Sequence, residues 1–83
     1  METPGWLNKE KVKVTLDARP LLVQGIHPLE QVQKEAASLE AGEIFEIITP
    51  FPPAPMIEKM VAAGFETYTE SAADGMCHTY FKK

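Results

Sequence analysis

Apolar residues recur along this chain with two different periods, and the switches between them mark its elements. From Val12, "VKVTLD" alternates apolar and polar, which predicts a first strand with Val12, Val14 and Leu16 on one face. Residues 17–27 contain Pro20 and Gly25 and are expected to form a loop. Pro28 suits the first position of a helix, where its missing N–H costs nothing. Beyond it Leu29, Val32, Ala36 and Leu39 recur at helical spacing, Glu30, Gln31, Gln33, Lys34 and Glu35 fill the other side, and Gly42 is placed to cap the end.

The next run, "EIFEIIT", is apolar on both faces, as an interior strand requires. "PFPPAP" forbids helix and central strand alike. Pro55 can then open a second helix with Met56, Ile57, Met60 and Val61 on one side and Gly64 as its stop. "FETYTE" alternates as a third strand, Asp74-Gly75 signals a turn, and "MCHTYF" returns as a fourth strand. On that strand Cys77, Thr79 and Phe81 share one face and Met76, His78 and Tyr80 the other. The first set extends the apolar pattern better and is assigned to the helix-covered core, which leaves His78 and Tyr80 on the solvent side.

The order β-α-β-α-β-β, with a right-handed crossover between the first two strands, predicts an α/β (α+β) two-layer sandwich, in which a four-stranded mixed sheet carries two helices on one face. Residues 1–10, broken by Pro4 and Gly5, read as a flexible lead-in, and residues 11–83 as a single domain.

Composition bears on function. A chain of 83 residues with 45% apolar and 24% charged residues has the make-up of one small folded domain. Net charge is −4 and the eight Lys and Arg residues are scattered, which disfavours a nucleic-acid partner. No run reaches the ~18 apolar residues of a spanning helix. The N-terminus lacks an apolar signal segment, so no membrane association and a cytoplasmic location are expected. Cys77 is the single cysteine and cannot form an internal disulfide.

Leu16-Asp17-Ala18-Arg19 leads through a loop to His27-Pro28 at a helix start, Ala41-Gly42-Glu43 precedes the second strand, and a proline-rich turn follows it. In this order the chain, over residues 12–82, resembles the TusA/SirA-like family. The resemblance implies a β-α-β-α-β-β domain. The best understood members are sulfur carriers, in which a Cys-Pro-X-Pro motif at the N-terminus of the first helix carries a persulfide between enzymes, for example toward tRNA thiolation. This chain has His27-Pro28 where the carriers have Cys-Pro, and Glu30 in place of the second proline. It looks like a His-Pro branch of that fold, whose members stand alone or are fused to hemerythrin-like iron domains. Many of that branch carry a second histidine in the turn after strand two, and "TPFPPAP" here has none.

Sulfur transfer needs an accessible thiolate, and histidine cannot hold a persulfide. Cys77 could, but it falls on the expected core face, where a lone cysteine is usually packing. His27, at a helix start beside Gly25, which would let backbone approach a ligand closely, is a candidate metal or haem ligand or proton donor to a bound anion. Its plainer role is to cap the helix or pack on the loop. The carboxyl ends of the first two strands and the N-termini of both helices gather Asp17, Arg19, His27, Pro28 and the Phe51 turn along one edge, where ligands of open α/β sheets tend to bind. Arg19 could hold a carboxylate or phosphate there, or could pair with Asp17 or a nearby Glu and tie down the loop. Phe51, on a stiff proline-set turn, is either a grip for a partner or part of a rigid connection.

These features predict a non-catalytic accessory or binding domain on a sulfur-carrier-like scaffold, with no required cofactor. It would meet a protein partner or a small anionic ligand at the edge formed by Asp17, Arg19, Gly25, His27, Pro28 and Phe51. The alternatives are a metal- or haem-linked redox accessory using His27 and, more weakly, a sulfur carrier using Cys77.

Overall fold

The computed structural model describes residues 4–26, 28–73 and 75–83. It is an α+β domain with strands β1 (Val12–Asp17), β2 (Ile44–Thr49), β3 (Glu66–Ser71) and β4 (Cys77–Lys82), and helices α1 (Arg19–Val23), α2 (Leu29–Ala37) and α3 (Ala54–Ala62). The four-stranded sheet runs in the order β1-β2-β4-β3. β1 lies parallel to β2, and β4 pairs antiparallel with both β2 and β3, so the sheet is mixed.

The core is built by alternation. Phe45 and Ile47 of β2 and Phe81 of β4 join one buried cluster with Val32 and Ala36 of α2 and with Met56 and Met60 of α3. Val14, Leu16, Leu22, Leu29, Ile57 and Phe65 pack around it. Each fully buried large side chain of this set contributes about 1.5–3 kcal/mol relative to leaving it in water. Phe81, assigned from the sequence to the helix-covered face, is there, and Thr79 is buried with it. Cys77 is only half-buried at the start of the strand.

Four local features depart from the sequence reading. The expected loop of residues 17–27 holds the short helix α1, with Pro20 in its first turn, where a missing N–H is harmless. α1 ends in a Schellman motif: Ile26 N–H donates to Leu21 O at 2.9 Å and Gly25 N–H to Leu22 O at 3.0 Å, while Gly25 takes φ 76°. α2 stops at Ser38 rather than at Gly42, and Gly42 instead lies in the turn before β2, its N–H donating to Lys83 O at 3.0 Å. A bulge between Val12 and Val14 shifts the β1 register, so Val12 pairs with Ile44 and not with the Phe45 row. Val12 therefore leaves the face of Val14 and Leu16 and lines a cleft on the opposite side with Tyr80.

The fourth departure concerns that opposite face. Tyr80 and Ile44, outside the main cluster, are 2% and 0% exposed, and the side chain of His78 is 16% exposed. This is no solvent-side face. Cross-strand polar partners pack along it, and Lys9, from the segment before β1, lines the cleft that borders it. Within that segment Asn8 caps a 3-10 turn at Lys9–Lys11, and Lys9 Nζ lies 3.8 Å from Glu70. Among the described residues no helix is long and apolar enough to cross a membrane.

Candidate functional site

The edge expected to carry function is formed where β1 and β2 end and α2 and α3 begin. Asp17, the last residue of β1, accepts from the Arg19 backbone N–H at 3.0 Å and from Arg19 Nε at 2.9 Å, and a second guanidinium nitrogen bonds its other oxygen. One carboxylate thus caps the first turn of α1 and holds the fork of Arg19, the geometry of a bidentate pair. The guanidinium hydrogen bonds, followed by the backbone N–H, lower the Asp17 pKa to about 2. The pair ties the strand end to the helix that follows it.

On the β2 side, Thr49 is 1% exposed and its hydroxyl donates to Phe51 O at 2.6 Å. That bond sets the turn that leads through Pro52 and Pro53 into α3, with Ile57 N–H donating to Pro53 O at 2.9 Å. Phe51 itself is held outward, 50% exposed. Its ring forms one wall of an apolar cleft of about 220 Å³, lined also by Leu22, Pro28, Leu29, Thr49, Pro55 and Met56. Pro28, directly before α2, is buried in this wall. Val23 and Ile26, at the end of α1, add two more exposed apolar side chains, 87% and 47% exposed, close in sequence to the lining residues Leu22 and Pro28. Isolated surface hydrophobics are ordinary, and the apolar lining of the cleft is what distinguishes this edge.

Of the sequence-derived candidates, Pro28 and Phe51 both line the cleft, while Asp17 and Arg19 bind each other. Gly25 takes the left-handed conformation of the α1 cap, with open space around its Cβ position. His27 lies outside the described residues. Cys77 is the cross-strand partner of Thr49, which places it at the same end of the sheet as the cleft. Leu22, Leu29 and Met56 were not singled out from the sequence as site residues. The helical periodicity of Leu29 and Met56 marks them as core and Leu22 falls in an expected loop, and only the tertiary arrangement brings the three to the cleft.

A polar cluster occupies the other face of the sheet. Glu46 Oε2 lies 2.7 Å from His78 Nδ1, and its Oε1 accepts from the Thr15 hydroxyl at 3.1 Å. Tyr80 donates to Glu70 Oε1 at 3.0 Å. Burial first, and then the carboxylates of Glu46 and Glu70, push the Tyr80 phenol well above its ordinary pKa. Among the described residues, no group of three or more His, Cys, Asp or Glu side chains is arranged to hold a metal ion. Comparison of the chain with protein-family models, with curated proteins and with solved structures found no match.

Proposed function

We propose that this chain is a non-catalytic binding domain on a TusA/SirA-like two-layer scaffold, and that it takes an apolar side chain of a protein partner into the cleft beside Phe51. The cleft carries the reading: Leu22, Pro28, Leu29, Pro55 and Met56 offer it apolar walls, and Phe51 stands at its rim half in solvent. A rigid aromatic held outward by a proline-set turn gives contact area at little ordering cost. The bidentate engagement of Arg19 by Asp17 favours a protein partner over a small anion, because the cation of this edge already has a carboxylate.

A titration of isotope-labelled protein with N-acetyl-leucinamide and N-acetyl-phenylalaninamide tests this. The expected result is saturable shifts at Leu22, Leu29, Thr49 and Met56 that vanish in Phe51→Ala. Shifts confined to Arg19 on adding inorganic phosphate would favour the anionic ligand instead. Broadening by ferrous iron or haem that His27→Ala abolishes would favour the redox accessory.

A second reading rests on Cys77, half-buried and paired with the cleft residue Thr49. Sulfur carriage predicts alkylation of Cys77 in the folded protein at the rate of an open thiol. Alkylation only on unfolding would end that reading.

A further inference from the structure

We propose that residues 4–11 form a strap across the second face of the sheet, opposite the main cluster, and that Lys9 latches this strap to Glu70. Cross-strand pairing defines that face. Ile44, Glu46 and Ile48 of β2 stand opposite Lys82, Tyr80 and His78 of β4, and Tyr68 and Glu70 of β3 stand opposite Tyr80 and His78. Two of its residues are sealed: Ile44 is 0% exposed and Tyr80 2%. Neither belongs to the main cluster. The buried residues of α2 and α3 all do, and α1 buries none. Cover for the second face has to come from other parts of the chain.

The segment before β1 is placed to give it. β1 and β3 are the opposite edges of the sheet, yet Lys9, three residues before β1, has its Nζ 3.8 Å from Glu70 of β3. A chain that reaches from one edge toward the other passes over the strands between them. Lys9 accordingly lines one cleft with Thr15, Glu46, Glu70, His78 and Tyr80, which come from all four strands. The segment is itself ordered by hydrogen bonds. Leu7 N–H donates to Pro4 O at 3.0 Å, Glu10 N–H to Asn8 Oδ1 at 2.9 Å and Lys11 N–H to Asn8 O at 2.8 Å. Trp6 and Leu7 are half-buried although no helix or strand contains them. A lead-in standing free in water would leave both exposed.

The latch holds the strap without locking it. The Lys9 side chain is 74% exposed and that of Glu70 31%, so water and salt screen the pair. Lifting the strap opens the cleft of about 340 Å³ and uncovers Tyr80 and the His78–Glu46 pair, which makes this a gated cleft.

Hydroxyl-radical footprinting of the full chain, read by mass spectrometry, tests the strap through a side chain it covers. Lys9→Glu sets like charges at the latch, and Lys9→Arg keeps opposite ones. Tyr80 is expected to oxidise about two- to fivefold faster in Lys9→Glu than in the wild type, the range that loss of an exposed ion pair supports. In Lys9→Arg the wild-type rate is expected. Phe81, fully buried in the main cluster, is expected to stay protected in both. Trp6 is the single tryptophan, so acrylamide quenching of its fluorescence reads the strap itself and is expected to increase in Lys9→Glu. A Tyr80 rate that does not change, or that rises only together with Phe81, overturns the proposal. So does a rise at Tyr80 without a change at Trp6, which would reduce the strap to one side chain.

Discussion

His78 Nδ1 and Glu46 Oε2 stand 2.7 Å apart on a sheet face that the sequence assigns to solvent, and both side chains are only 16% exposed. They join β4 to β2, and Thr15 extends the link to β1 through the other carboxylate oxygen. A carboxylate this well covered depends on its partners. Replacing His78 by Ala removes one of the two side-chain partners of a largely covered carboxylate, and a loss of about 1–3 kcal/mol is expected in urea unfolding. The double replacement His78→Leu with Glu46→Gln is expected to cost less than the sum of the single changes, which a double-mutant cycle reads directly.

Tyr80 gives a stability effect at alkaline pH. Its folded-state pKa is raised, so the native phenol stays neutral at pH values where the unfolded phenol, with a pKa near 10.0, has begun to ionise. The contribution is complete below about pH 10 and is lost as pH rises toward the folded value. The unfolding midpoint in urea is therefore expected to fall above pH 10 more steeply in the wild type than in Tyr80→Phe. Equal slopes would contradict the burial of this phenol.

Asp17 acts at the other end of the scale. Its pKa falls from 3.8 to about 2 on folding, so its stabilising effect is present above 3.8 and is lost as pH drops toward 2. The side chain is accessible and the effect is small. A direct NMR titration of the Asp17 carboxyl carbon, with a midpoint near 2 that moves up in Arg19→Gln, checks the assignment of cause.

These polar pairs show where the sequence was readable and where it was not. The strands, α2 and α3 follow from local periodicity, and Pro28, Pro55 and Gly64 stand near the helix boundaries they signal. Phe81 and Thr79 were placed on the correct face by alternation alone. The bulge at Val12 was hidden because "VKVTLD" alternates evenly, and an extra residue at a sheet edge leaves no mark in a period-two pattern. α1 was hidden because Pro20 and Gly25 are loop residues by composition, yet one fits a first helical turn and the other a helix cap. The environment of Tyr80 depends on Glu70 and Glu46, partners distant in sequence that no local window contains. The edge that holds the cleft was legible from topology, but its apolar character was not, since Leu29 and Met56 look like core residues and Leu22 falls in an expected loop.

The cleft also separates stability from function. Phe51 is 50% exposed and lies outside the main cluster, so Phe51→Ala is expected to change unfolding free energy by less than about 0.5 kcal/mol. Phe81→Ala, by contrast, empties a fully buried site and is expected to cost about 3–5 kcal/mol. Thermal or urea unfolding of the two variants side by side is the check.

The most direct test of the binding role is photo-crosslinking with benzoylphenylalanine placed at residue 51 and, as a control, at the exposed position Glu58 of α3. The expected result is a discrete adduct at position 51, absent at 58, that excess unlabelled wild-type protein suppresses and excess Phe51→Ala protein does not. Adducts that form equally at both positions, or that both competitors suppress alike, would contradict the assignment of the Phe51 cleft as the binding site.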